Sequence, residues 1–537
     1  MSAQSEQPLL ANENANYGTS ADAVQHPSGA EDRADPPAGS SFRRNLGTLE
    51  AFAIVVSIVI GSGVFTSPGS IDANVPSPGV ALAVWLVGGL LAWTGASTLA
   101  ELGTTIPGEG GIQPYLQYIY GDVFGFLAAW TWVMAVMPAT LAILSIVFVE
   151  SIYSAAGVTD EAGRLSHKLF SVLVLVVVTA ANSISTRAST RLNNFFVATK
   201  FTSIALVVGA GLLVAILVAT DPARWKDAIG GHDWRERPWF HNRDTPTPGG
   251  GTIHWDGMGG WEMLGNLSAA LYGALWAYSG WDKAVYVTAE LSAPARQLPL
   301  AINSAVPTIV LCFVATNAAY YVLLPWDVIS TTDSVAVTAI TRLLGPLGGV
   351  VAATLICLVV AGSLLGNSFI ASRMAVAASN KGWLPRVVGV LGHFGLPRAA
   401  HNSGSTTAAA SDAPSAPPEA PTSDAPINAL LLGTALSTLY ILLGSFRALL
   451  TFNGLGEYSF FFVTVCGAIV LRFREPSLPR PYRPLAIVPV AFALVSGFVV
   501  VRGAVFAPIQ AGILVGLWVV GVLYYLARQA WARRRDD

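Results

Sequence analysis

Charge is what this chain of 537 residues has least of: only 12% of it is Asp, Glu, Lys or Arg. An ordinary soluble domain carries about a quarter. With 53% hydrophobic residues, the chain reads neither as a water-soluble globule nor as a disordered polymer. Cysteine is scarce as well. Cys312, Cys357 and Cys466 all lie inside apolar runs, which excludes a disulfide framework. There is no CxxC pair or Cys/His cluster, and His232, His241 and His254 are spaced for no common zinc pattern, so no metal is implied. A net charge of −2 leaves no basic surface for a nucleic acid. The apolar runs hold no nucleophile–base or metal constellation, and no phosphate-binding loop is present. An enzyme is not expected, and no cofactor is implied.

What is present is a series of long apolar runs. A membrane-crossing helix needs about 20 such residues, and a membrane strand only ~10. Twelve runs qualify, at roughly 46–72, 79–103, 122–152, 167–185, 194–219, 263–290, 300–324, 347–377, 427–446, 451–471, 484–502 and 507–527. In lipid the backbone must bond within its own segment, so the expected fold class is an all-α integral membrane protein with twelve spans. Residues 1–45 are polar and lack the basic start and apolar middle of a signal peptide, so they read as a disordered cytoplasmic tail. A membrane domain is expected over 46–530, with a short basic tail at 531–537. It contains a long extracellular loop at 220–262 and a cytoplasmic loop at 387–426. The stretch 401–426 of that loop reads as a disordered insertion.

Most of the 30 Lys and Arg fall on one side if both termini are cytoplasmic, among them Arg187, Arg191, Arg373, Lys381, Arg472 and Arg474. Both ends of the multi-pass chain are therefore expected inside; the expected location, which the charges do not decide, is the plasma membrane.

Three features interrupt the apolar pattern. The first span holds Gly61-Ser62-Gly63 at its middle. Two readings stand: close packing of helices, or an unwound segment whose free N–H groups hold an anion. The sixth span holds Ser279-Gly280, followed at once by Asp282 and Lys283. Ionisable groups at that depth usually face a cavity, unless the helix ends early and they are interfacial. The third feature is Lys200 in the fifth span, which either snorkels to the interface or faces the bundle. Interruptions in the first and sixth spans, five apart, point to a five-plus-five inverted repeat with a midplane site, the last two helices being an addition. A broken helix offers both N–H and C=O groups, a pair suited to a zwitterion.

These stretches resemble the L-type amino acid transporters of the amino acid–polyamine–organocation superfamily, and most of all their fungal branch, which includes methionine permeases. IGSGVFTSPGSI is similar to the family's broken first helix and AELGTTIPGEGG to its second-helix end. GALWAYSGWDKAVYVTAELSAPARQLPLAI is similar to its sixth helix and the loop after it. Weaker matches are GNSFIASRMAVAASNKGWLP and REPSLPRPYRPL.

The resemblance implies a LeuT-type fold and roles residue by residue. Gly61, Ser62 and Gly63 would bind the substrate carboxylate. The carbonyls of Val59, Trp276 and Ala277 would take the ammonium, with the Trp276 ring as gate. Lys200 would stand at a sodium site of sodium-coupled relatives, so sodium independence is expected. Ser279, Asp282, Lys283 and Leu365 depart from the family pattern, and with Asn367 they would shape the side-chain pocket or the coupling. The implied partners are a small-molecule amino acid, the lipid bilayer and, as a candidate co-substrate, protons. Animal members join a heavy chain through a cysteine in the loop after the third span. The loop Ser154 to Ser166 has none, so a disulfide-linked heavy chain is not expected.

The expected function is sodium-independent transport of large neutral or methionine-like L-amino acids by alternating access. The alternatives are a non-transporting amino acid sensor and a carrier of another amine class such as polyamines. Glu101 and Glu290 end their helices as acids, which the helix dipole disfavours, and Arg296 is the expected partner at an inner gate.

Overall fold

The computed structural model describes residues 46–536 apart from 107, 109, 157–164, 185, 226–228, 248–249, 333 and 393–424. The expected tail at 1–45, nearly all of the insertion at 401–426 and most of the loop after the third span lie outside the described residues.

Helices fall on every apolar run. In chain order they are α1 (Thr48–Val59), α2 (Gly63–Asp72), α3 (Pro78–Thr105), α4 (Ile112–Tyr120), α5 (Asp122–Tyr153), α6 (Leu165–Ile184), α7 (Thr186–Thr220) and α8 (Gly260–Ala277). They continue with α9 (Pro294–Leu323), the short α10 (Trp326–Thr331), α11 (Val335–Asn380), α12 (Ile427–Leu443), α13 (Phe446–Arg474), α14 (Ile487–Phe506) and α15 (Pro508–Asp536). Among the described residues, nine helices are long and apolar enough to cross a membrane, and α1 with α2, bent by 44°, makes a tenth if the pair is one span. The two remaining expected spans fall short for simple reasons. The α12 helix has 17 residues; α8 has 18, but Glu262 and Asn266 make it less apolar, and it stops at Ala277, where the chain turns and resumes as a 3₁₀ run, Lys283–Glu290.

The bounds differ from the sequence reading in one place with a clear cause. The eighth span begins earlier, at Val335, and is broken at Gly345, whose φ of 79° leaves the helical region just before Pro346. A residue before proline is pushed out of the α region, and glycine accepts positive φ at little cost.

Small residues determine how the helices meet. The α3 helix packs along α9, and its glycines make room for the break after α8. A methyl on Gly89 would lie 2.8 Å from the Tyr278 ring, and one on Gly95 2.7 Å from Trp281. Without a hydrophobic drive between helices in lipid, such close approach is what holds them together. The chain entering α1 is fixed too. Leu46 donates to the Glu290 carbonyl and accepts from Ser292, tying the start of the first crossing to the end of the 3₁₀ run.

Candidate functional site

The two breaks lie against each other. A methyl on Gly63 would come within 2.6 Å of the Ala277 Cα, and one on Gly280 within 2.6 Å of the Ile58 side chain. Glycine at 63 and 280 therefore lets the two breaks touch. Between them opens a cavity with about 420 Å³ of atom-free space, part of it continuous with solvent.

One wall is the first break, with Ile58, Val59 and Gly61 to Gly63. The second is the end of α8 and its turn, with Trp276, Ala277, Ser279, Gly280 and Lys283. The rest comes from Thr140 and Leu144 of α5, Ser363 and Asn367 of α11, and Glu457 of α13.

The backbone chemistry follows from the breaks. The first N–H groups of any helix lack an intrahelical acceptor, so α2 presents donors and a positive dipole end at Ser62 and Gly63. The α1 helix ends with carbonyls that need donors. Ser363 Oγ donates to the Ile58 carbonyl at 3.0 Å, and the Lys200 ammonium donates to that of Ser57. Lys200 is fully buried. It thus faces the bundle rather than snorkelling, as a cation at the negative end of a half-helix.

Of the residues singled out in the sequence, the cavity gathers Val59, Gly61, Ser62, Gly63, Trp276, Ala277, Ser279, Lys283 and Asn367. It does not gather Lys200, Asp282 or Leu365. Asp282 lies behind the wall, its carboxylate accepting from Lys283 at 2.9 Å. Leu365 is buried, and its carbonyl accepts from Asn182 of α6.

The sequence reading missed Glu457. It is 3% exposed and accepts from the Lys283 ammonium at 3.3 Å and from the Ser279 hydroxyl at 3.1 Å. Its signal was available: a carboxylate inside the tenth apolar run, the same criterion that singled out Lys200. Thr140, Leu144 and Ser363 carried no such mark.

Arg296 is not the partner of the helix-end acids. It is exposed, while Glu101 binds Arg472 and Arg480 and Glu290 accepts from Arg373 at 2.6 Å. Both acids are buried, and a buried charge takes whichever cation the fold brings to it.

A second ion network sits at the far end of α2. Asp72, fully buried, accepts from Arg243 of the long loop at 2.5 Å and from the Tyr321 hydroxyl at 2.5 Å. Arg243 also reaches Asp327 at 3.3 Å. Burial lowers the affinity of Arg243 for its proton, but Asp72 beside it more than offsets this, so the guanidinium is held above its ordinary range. Replacing Arg243 with Ala leaves the Asp72 charge buried with only a phenol for company. We expect a loss of about 3–5 kcal/mol. Asp327→Asn should change stability by under ~1 kcal/mol, because that carboxylate is half exposed. Thermal unfolding of the detergent-purified variants measures both, and equal losses would contradict this assignment.

Comparison with known proteins identifies the family. Human large neutral amino acids transporter small subunit 2 is 29% identical over 517 residues, covering 95% of this chain and 86% of that one. Human b(0,+)-type amino acid transporter 1 is 26% identical over 505 residues, covering 93% and 91%. The mouse b(0,+)-type protein is 27% identical over 500 residues, covering 92% and 91%. A family profile for amino acid permeases matches residues 46–527, nearly the whole described chain. This chain is a multi-pass membrane protein belonging to the amino acid permease family.

Proposed function

We propose that the chain is a sodium-independent secondary transporter that moves neutral L-amino acids, large or methionine-like, by alternating access. The observation that carries this reading is the cavity between two broken helices, lined by the start of α2 on one side and the end of α8 on the other; substrate would take over backbone groups that now bond locally, Gly61 N–H to the Val59 carbonyl and Ser279 N–H to the Trp276 carbonyl. In this reading the N–H groups of Gly61, Ser62 and Gly63 hold the substrate carboxylate. The carbonyls of Val59, Trp276 and Ala277 take its ammonium, and the Trp276 ring closes over it. Ser279, Lys283 and Asn367 line the space left for the side chain; Asp282 and Leu365 act from behind it.

The Lys200 ammonium on the Ser57 carbonyl supports sodium independence, because it supplies a fixed positive charge at the end of α1. The proposed architecture counts α8 with its 3₁₀ run, and α12, as spans. That gives twelve crossings in a five-plus-five repeat plus two, over a transporter domain of 46–530. The proposed orientation puts both termini in the cytoplasm of a plasma-membrane protein, with the 220–262 loop outside. The test is counterflow of labelled leucine and methionine into liposomes holding the purified full chain, with sodium or with choline. The expected result is equal uptake in both. Uptake that disappears in choline would overturn sodium independence, and none in either would overturn amino acid transport.

A further inference from the structure

The charges around the cavity do not balance locally. Asp282 and Glu457 share one ammonium, that of Lys283, at 2.9 and 3.3 Å, and all three residues are at least 97% buried. Lys200 is no remedy: it sits on the Ser57 carbonyl, where it offsets the negative end of α1, and it does not line the cavity. The other groups that face Glu457 bring no charge. They are Tyr272 of α8, Tyr286 of the 3₁₀ run and Tyr458 of its own helix, together with the Ser279 hydroxyl. Arg502, the charged residue of α14, is turned to Ser268 and the Tyr272 ring, and Glu101 of α3 is taken by Arg472 and Arg480. Two carboxylates and one ammonium leave an excess negative charge, and an uncompensated buried charge costs several kcal/mol.

The two carboxylates are not equivalent. Asp282 neighbours Lys283 in sequence, holds it at the shorter distance and is behind the wall. Glu457 is on the wall, holds Lys283 at the longer distance, and also accepts from Ser279, a residue of the break itself. A change of charge on Glu457 is therefore felt at the hinge of the sixth crossing through the Ser279 hydroxyl. It is felt by the ligand through the cavity.

We propose that Glu457 is the charge-compensating residue of the substrate cavity, taking a proton on one of its carboxylate oxygens when the cavity closes over a neutral amino acid and releasing it on the other side with the substrate. This rests on the transport reading above. The proton comes from water on the side of entry, adds to the carboxylate without breaking any other bond, and returns to water on exit. Asp282 and Lys283 remain a neutral pair throughout. In the closed, loaded state the buried cluster then carries no net charge.

The test uses the purified full chain in liposomes with a trapped pH-sensitive dye. Labelled leucine uptake and dye response together give protons moved per amino acid, a ratio that does not depend on rate. The wild type should move a proton with each leucine, Glu457→Asp should keep that ratio, and Glu457→Gln should bring it close to zero. Leucine uptake by the wild type without proton movement overturns the proposal. So does a Glu457→Gln variant that still moves the proton. Uptake of labelled arginine instead of leucine, with no proton, also overturns it, because the substrate then brings the missing charge itself.

If Glu457→Gln does not transport, leucine binding heats in two buffers of different ionisation enthalpy read the proton directly. A proton taken up by the wild type and not by the variant supports the proposal, and equal uptake overturns it. Counterflow without a pH difference distinguishes the two levels: its absence in the wild type removes the transport reading, while its presence without proton movement removes only this inference.

Discussion

Gly63→Ala should reduce amino acid uptake about a hundredfold while the protein still inserts and unfolds at close to its normal temperature. The added methyl would sit 2.6 Å from the Ala277 Cα, 3.0 Å from its Cβ and 3.2 Å from its carbonyl oxygen. Real carbon contacts do not come below 3.0 Å, so something must move. Nothing flexible is within reach, because the obstacle is the backbone at the end of α8. The two breaks must separate, and overpacking of this kind costs about 1–3 kcal/mol. That is a modest cost for a protein of this size. It falls on the wall where, in the proposed reading, backbone groups of both breaks reach one small molecule, and there a shift of ~1 Å is decisive.

A graded series checks the reasoning. A methyl on Gly61 would meet the Ser363 hydroxyl at 3.0 Å, an atom that can turn if it releases the Ile58 carbonyl, so Gly61→Ala should lose less. Gly433 in α12 has nothing within 4 Å. Gly433→Ala should therefore leave uptake unchanged and stabilise the helix by about 0.5–1 kcal/mol. Uptake by Gly63→Ala equal to that of Gly433→Ala would show that the contact between the breaks does not matter.

What the sequence disclosed and what it hid divide along physical lines. Apolar length disclosed the helices, because lipid leaves the backbone no other choice. Glycines beside polar residues in mid-span disclosed both breaks. Rotation of a helix about its axis was hidden. Successive residues of an α-helix point about 100° apart, so Leu365 and Asn367, two positions apart, need not face the same way. The cavity includes Asn367 and leaves Leu365 out. Long-range pairing was hidden for a different reason. Glu101 and Arg472 are 371 residues apart, and Arg373 lies 83 residues from Glu290, so chain neighbours such as Arg296 were a poor guide. Glu457 was legible as a charge in an apolar run. Its partner Lys283, 174 residues away, was not.

Lys283→Met should be among the most destabilising single changes in the protein, and adding Glu457→Gln should recover part of the loss. The Lys283 ammonium is 1% exposed and stands between Asp282 and Glu457. Methionine fills much of the same volume, so the cavity term is small and the charge term dominates. Removing one partner of a buried ion pair costs about 3–5 kcal/mol, because the survivor keeps its charge without compensation. Here two carboxylates survive and also face each other. Glu457→Gln in the methionine background removes one of those charges. The glutamine carbonyl can still accept from Ser279, so the hydroxyl that Glu457 now serves is not orphaned. The double variant should therefore be more stable than Lys283→Met alone by at least ~1 kcal/mol, although Glu457→Gln by itself breaks a contact of the wild type. Such a reversal arises only if the ammonium is shared between both acids, as their positions at 2.9 and 3.3 Å indicate. Thermal unfolding of the four proteins in one detergent measures the coupling. If the two losses simply add, to within about 0.5 kcal/mol, then Lys283 belongs to Asp282 alone and Glu457 carries its charge without it.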